Sequence, residues 1–356
     1  MARLNPLRNP RFLVLCGVFS LILFLLVILP EFQNHIPLPI SIDDVEPIQL
    51  TPEILIDPTF GYHNYSEFVQ GHLPVIISVP HGGHLFPDDI PDRKQNFPSV
   101  VKSNDLNTQE IGRAISELVM EKFKGRKPYM VINHLGRSKL DVNRPLKEGA
   151  EGIMSERSLS ETQIAWNDYH TFMNDAVEEV EERFSRGLLI DIHGHGHSEN
   201  YIELGYVLSS EKLALPTDTI NSDSTIPTSS SIRALYNRKK SYLSFAELLR
   251  GRTTSLGGRL QSYGYETVPS HVHKHPLKNE RYFHGGYSVQ KYGSRHGEQV
   301  VDAIQIELPR LLRLGNEELK KQFIIDISES ISWFVKEYYW NGGQGSKRLT
   351  MDIGKP

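Results

Sequence analysis

Hydrophobic positions along this chain follow two periods. Short runs rich in Val, Ile and Leu read as buried strands at Leu73 to Val79, Tyr129 to Asn133, residues 188 to 192 and residues 300 to 307. Segments with helical spacing lie between and after them. Residues 104 to 123 place Ile111, Ile115, Leu118 and Val119 on one face. Residues 160 to 186 form a long helix striped by Phe172, Ala176, Val177, Val180 and Phe184. A further helix is expected from 242 to about 263, and a last one over 317 to 340 with Ile324, Ile327, Ile331 and Phe334 facing inward. Strands alternating with helices predict an α/β fold: a mainly parallel or mixed sheet with helices on both faces. No internal repeat interrupts the pattern.

The N-terminus breaks both periods. Residues Phe12 to Pro30 are almost entirely apolar and carry no charge. About 20 such residues span a bilayer as a helix. Arg3, Arg8 and Arg11 precede the run and Glu31 follows it. Positive charge stays cytoplasmic, so the pattern predicts a cytoplasmic tail at 1–11, a transmembrane signal anchor at 12–30, and a single-pass type II protein with its bulk lumenal or extracellular. No small-x-small cleavage site follows, which favours an anchor over a cleaved signal peptide. Residues 31–70 are rich in proline and read as a stalk. The domain is expected over 71–340, with a disordered Ser/Thr/Asp-rich insertion at about 214–231 and a flexible tail at 341–356. Asn64-Tyr65-Ser66 is a sequon, making Asn64 a candidate glycosylation site.

Composition narrows the chemistry. The chain has 356 residues, with 39 basic against 43 acidic side chains and a net charge of -4, a balance that argues against a nucleic-acid partner. Its one cysteine, Cys16, lies inside the apolar N-terminal run. Disulfides, cysteine zinc sites and cysteine nucleophiles are therefore excluded from the domain.

Chemistry gathers where strands end, as it does in open α/β sheets. Residues 188–197 run from an apolar strand through Asp191 and His193 into a glycine loop with His195 and His197. Strand side chains alternate, so Asp191 and His193 share a face, suiting a metal-ligand histidine whose ring is oriented by a carboxylate. Pro80-His81-Gly82-Gly83-His84 puts a second histidine directly after a buried strand. Asp105 and Glu110 open the following helix, where acidic residues are favoured by the helix dipole; either, or His84, is a candidate third ligand, with Asp105 preferred because it lies nearer the loop side. Arg137, Asn143 and Arg144 form a donor-rich element able to grip a carboxylate and polarise a carbonyl. Glu307 ends the strand that carries Gln305 on the same face, the place for a general base. Gly285-Gly286-Tyr287 is a turn with an aromatic residue fit to close over a substrate.

Taken in order, these pieces resemble the N-formylglutamate amidohydrolase family. The shared elements are Pro80-His81-Gly82-Gly83, Asp105, Arg137 to Arg144, Asp191-Ile192-His193, Gly285-Gly286-Tyr287 and Gln305-Ile306-Glu307, running from about residue 73 to 312. The family is similar in layout to zinc carboxypeptidases, which share a phosphorylase/hydrolase-like fold. The resemblance implies one zinc per chain held by His81, Asp105 and His193, with Asp191 behind them. It implies Glu307 as general base and Arg144 with Asn143 as substrate anchors; Arg137 and Tyr287 are further substrate-binding candidates, and Arg144 is also placed to polarise the carbonyl. Carboxypeptidases usually place a glutamate three residues after the first histidine; His84 stands there in this chain. The implied activity is hydrolysis of a C–N amide bond in an N-acyl amino acid, a peptide or a related amide. Two alternatives remain: a zinc carboxypeptidase acting on peptide C-termini, and a non-catalytic membrane-anchored binding protein keeping the fold.

Overall fold

A computed structural model describes residues 57–94, 100–151 and 159–340. The expected anchor, the N-terminal part of the stalk and the flexible tail lie outside the described residues. Among the described residues no helix is long and apolar enough to cross a membrane.

The strands are β1 (Thr59–Phe60), β2 (Ser66–Val69), β3 (Val75–Val79), β4 (Tyr129–Asn133), β5 (Gly187–Gly194), β6 (Ile202–Gly205), β7 (Thr267–Val268) and β8 (Val301–Leu308). They form one mixed sheet in the order β1-β2-β4-β3-β5-β8-β6-β7. The four central strands β4, β3, β5 and β8 are parallel. β3 and β4 are mostly apolar, β5 and β8 interleave apolar residues with the polar side chains of the site, and β3, β4 and β8 are buried along their whole length. That is the pattern of a sheet covered on both faces. β2 and β6 flank this block antiparallel.

Helix α1 (Thr108–Lys122) and helix α4 (Glu317–Tyr338) cover one face. Ile111, Ile115 and Val119 of α1 and Phe323, Ile327 and Ile331 of α4 pack with Val75, Ile77 and Val79 of β3. Helix α2 (Glu161–Phe184) covers the other face, where Ala165, Tyr169, Met173, Ala176 and Val180 meet Ile76, Val131 and Leu189. A capping box starts α2: the Ser160 hydroxyl accepts from the Gln163 amide, and the Gln163 side chain accepts from the Ser160 amide. The short helix α3 (Tyr287–Tyr292) packs against β8 beside it.

Three expectations are corrected. Residues 59–69, read as stalk, supply the edge strands β1 and β2, and β2 pairs with β4 more than 60 residues away. Residues 214–231, read as disordered, fold into short helices at Thr217–Ser222 and Thr225–Thr228. Ile220 and Ile226 are buried there, and the Arg250 guanidinium bonds the Leu213 carbonyl and the Thr217 hydroxyl, anchoring a segment whose composition is otherwise polar. The single helix expected from 242 to 263 is two, Phe245–Arg250 and Leu256–Ser262. Gly251 adopts extended backbone between them, and Ser244 and Ser255 each cap a separate start. Asn64 is exposed in a turn between β1 and β2, whereas Tyr65 and Ser66 of the same sequon are buried and the Ser66 hydroxyl donates to the Ala165 carbonyl.

Candidate metal centre

The carboxyl ends of β3, β5 and β8 converge on one cavity of about 690 Å³. His81 leaves β3 through Pro80, whose carbonyl accepts from the Asn133 side chain at 2.9 Å. The Asp105 amide donates to the His81 carbonyl at 3.0 Å, and the Asp105 carbonyl accepts from the Thr108 hydroxyl at 2.7 Å. These bonds hold the segment before α1 against the end of β3. His193 comes from β5 itself.

Three donor atoms meet there. His81 Nδ1 and His193 Nδ1 are 3.1 Å apart, and each lies 3.3 Å from Asp105 Oδ2. All three residues are buried. Tetrahedral zinc, with bonds of about 2.0–2.1 Å, holds its ligand atoms about 3.3 Å apart, so the three atoms fit one face of such a site. The outer ring nitrogens are equally informative. His81 Nε2 lies 2.8 Å from Asp141 Oδ1, and His193 Nε2 lies 2.9 Å from Asp191 Oδ2. A carboxylate only accepts, so each Nε2 carries the proton and each Nδ1 turns a lone pair inward. Two lone pairs facing each other and a carboxylate repel unless a cation or a proton sits between them.

Electrostatics agree with this. Burial works against ionising Asp105, but contacts with His193 and His81 outweigh it and hold its carboxyl far below the usual range. Burial also opposes a charged His193, yet Asp191 and Asp105 raise it well above its ordinary value, so without metal the ring keeps a proton that a cation displaces. Asp141 is drawn well below the carboxylate range against its burial by His81 and Arg137. Arg137 Nε donates to Asp141 Oδ2 at 3.0 Å, and Arg93 stands 3.4 Å from the same oxygen. Asp191 accepts from the Ser78 hydroxyl at 2.5 Å, and that hydroxyl shares a 2.9 Å bond with Tyr169.

Asp141→Asn is expected to weaken metal binding by roughly 10–100-fold, because the carboxylate behind a ligand histidine makes that ring a better donor. Competition with a chromogenic chelator checks it; unchanged affinity would remove Asp141 from the site.

Of the other candidates, Glu110 and His84 are exposed and point elsewhere, leaving Asp105 as the carboxylate beside the histidines. Arg137 lines the cavity but engages the carboxylates behind it, Asp141 and, at 3.8 Å, Asp105. It therefore stands both on the cavity wall and against the carboxylates that flank the histidines. Asn143 accepts from the Ser288 amide at 2.8 Å and so ties the Gly-Gly-Tyr turn to the metal side. Gly286 is required in that turn: a Cβ there would stand 2.3 Å from Asn143 Nδ2. Arg144 is half-buried on the cavity wall, with its carbonyl accepting from Trp166 Nε1 at 3.0 Å. Tyr287 lines the cavity against His170 and Trp166.

Glu307 sits at the register position opposite His193. Gln305 Nε2 donates to its Oε1 at 2.8 Å, and Gln305 Oε1 accepts from the Gly286 amide at 2.6 Å. Burial, and then the nearby Asp105 and Glu203, push the Glu307 carboxyl up to about 8 despite the opposing pull of His193. Asp141 and the His197–Glu203 pair were not assigned roles from the sequence. For Asp141 a signal was present, since Arg137 precedes it by four residues within the same donor-rich element.

No family model matches the chain, and no curated protein matches it. Solved structures do show a distant likeness. An N-formylglutamate amidohydrolase from Ralstonia eutropha JMP134 aligns at 15% identity and a TM-score of 0.44, covering 76% of this chain and 98% of that one. A gene product from Agrobacterium tumefaciens aligns at 14% identity and a TM-score of 0.41, over 75% and 91% of the two chains. A succinylglutamate desuccinylase from Vibrio parahaemolyticus aligns at 12% identity and a TM-score of 0.34, over 78% and 73%. Similarity at this level is no warrant for activity; the geometry of the site has to supply it.

Proposed function

We propose that the protein is a metal-dependent hydrolase of amide bonds, acting on an N-acyl amino acid, a peptide or a related amide. His81, Asp105 and His193 hold the ion, and zinc is the metal their donor set suits best. The observation that carries this reading is the inward pairing of the two Nδ1 atoms with Asp105 while each Nε2 is bonded to a buried carboxylate. A divalent cation in that position acidifies water and polarises a carbonyl.

The remaining work falls to the protein's own side chains. Glu307 Oε1 is occupied by the Gln305 amide, so Oε2 is the oxygen that takes a proton from the attacking water and returns it to the departing nitrogen. The raised Glu307 pKa keeps the carboxyl protonated near neutrality when no cation is near; positive charge beside it favours the carboxylate, the form a base needs. Arg144 presents a guanidinium to a substrate carboxylate on the cavity wall. Tyr287 closes that side, and the Gln305 bridge keeps its turn in register with Glu307.

Metal analysis of the purified full-length chain, followed by a screen of N-acyl amino acids beside unblocked peptides, tests the reading. About one zinc per chain and release of a free amine are expected. Absence of stoichiometric metal in carefully handled protein would sink it and favour a binding protein. Release of terminal residues from unblocked peptides alone would select the carboxypeptidase form.

A further inference from the structure

The loop leaving His193 holds two more histidines, and neither belongs to the triad. His195 is committed to the backbone. Its Nε2 donates to the Tyr201 carbonyl at 2.8 Å, and its Nδ1 accepts the His197 amide at 3.1 Å. Both ring nitrogens are used, so His195, His197 and Glu203 do not form a second metal site although their ligand atoms lie within 4.8 Å of one another. His197 is held differently. Its Nδ1 lies 2.7 Å from Oε1 of Glu203, a buried residue directly opposite Glu307 in the β6–β8 pairing. The other Glu203 oxygen accepts the Phe283 amide at 2.8 Å. A carboxylate partner fixes the proton on Nδ1 and leaves Nε2 as a hydrogen-bond acceptor. Among the described residues no protein group bonds Nε2, and His197 lines the same cavity as the triad. The ring is held between His195, at 4.8 Å, and Phe283, at 4.6 Å.

Strand order fixes the side. Arg144 and Asn143 follow β4, whereas His197 and Glu203 belong to β6 and its preceding loop. In the order β4-β3-β5-β8-β6 the triad and Glu307 lie between them. A substrate that gives the carboxylate of its leaving half to Arg144 therefore directs its acyl half toward His197 and Phe283.

We propose that His197, oriented by Glu203 and flanked by Phe283, forms an acyl-side subsite that selects substrates with an N–H or O–H donor near the scissile carbonyl. Peptidyl and hydroxyacyl groups carry such a donor; plain alkanoyl groups do not. This rests on the amide-hydrolase reading and narrows its substrate class to peptide-like amides.

The test uses two synthetic amides with the same amino-acid leaving half, one hydroxyacetylated and one propionylated, which differ by a hydroxyl in place of a methyl. Wild type is expected to favour the hydroxyacetyl substrate by roughly tenfold in kcat/KM, the worth of one hydrogen bond. His197→Ala should bring that ratio close to one with metal content unchanged. His197→Gln, which keeps an acceptor, should recover part of it. Glu203→Gln offers an N–H to Nδ1, moves the ring proton to Nε2, and should lower or reverse the preference. Calorimetric binding of both intact substrates to Glu307→Gln protein reads the same ratio without turnover. A ratio near one in wild type, or one that survives in His197→Ala, overturns the proposal. Absence of hydrolysis of both substrates and of unblocked peptides by metal-loaded wild type overturns the amide-hydrolase reading instead, and the binding ratio then decides the subsite alone.

Discussion

Glu307→Gln is expected to retain the metal and lose turnover, with kcat falling by about a hundred- to ten-thousandfold, the range a positioned general base supplies. Glutamine keeps the shape of the side chain and a carbonyl oxygen for the Gln305 amide, so the strand end and the Gly-Gly-Tyr turn stay in place. What it cannot do is take a proton from water. Metal analysis beside steady-state kinetics reads both halves, and a variant with wild-type kcat would strip Glu307 of its role. The same substitution has a second signature in metal-free protein. The folded carboxyl is pushed up to about 8, above its unfolded value of 4.5. Below both values the group is protonated in either state and stability is unaffected. As pH rises between them, the unfolded chain ionises and the folded one does not, so wild-type stability declines until about pH 8. Glutamine does not titrate. The metal-free variant should therefore melt progressively higher than metal-free wild type as pH is raised from about 5 to about 8.

His193→Ala should abolish stoichiometric metal binding and with it all activity. The variant loses one of three donors and the ring that screens Asp191 from Asp105. Stability should suffer as well. Asp191 is fully buried, and with His193 gone its side-chain bond from Ser78 remains. Breaking a buried charge pair by removing one member costs about 3–5 kcal/mol. His81→Ala makes the informative comparison. It too should release the metal, but it leaves Asp141 beside Arg137 and Arg93, which still neutralise it. Thermal melts of the two metal-free variants should place His193→Ala below His81→Ala. Equal melting temperatures would mean that Asp191 is not the charge that His193 compensates.

The contrast between the two histidine variants traces to one feature of the fold: each histidine of the cluster is backed by a carboxylate from a different source. Asp191 is two residues from His193 on the same strand. Asp141 reaches His81 from a loop 60 residues away.

The near carboxylate was legible in the sequence; for the remote one the sequence showed only its spacing from Arg137, not that it reaches His81. Local rules explain the first. The apolar runs marked the central strands to within two residues, because a strand covered on both faces keeps apolar residues on each of them. Side-chain alternation put Asp191 beside His193 and Gln305 beside Glu307, since a period of two is set by the backbone alone. The positions of His81, His193 and Glu307 at strand ends followed from the same rule. Decisions that depended on strand order and register were not legible. Asp105 was already preferred for its place before the helix, but that it rather than Glu110 or His84 faces the histidines rests on the bond from its amide back to the His81 carbonyl. The edge strands at 59–69 looked like stalk because β4, which β2 joins, is remote in sequence. Residues 214–231 looked disordered because two buried isoleucines and the distant Arg250 outweigh a polar composition. The tautomers of His81 and His197 likewise belong to tertiary structure, since each is fixed by a carboxylate that the folded sheet brings within hydrogen-bond distance. The sequence by itself determined which side chains stand at the strand ends and which neighbours share their face, because both follow from backbone geometry within a few residues. Only the tertiary structure decided which of them meet and which nitrogen lone pairs turn inward, because those contacts depend on the order and register in which distant strands pair.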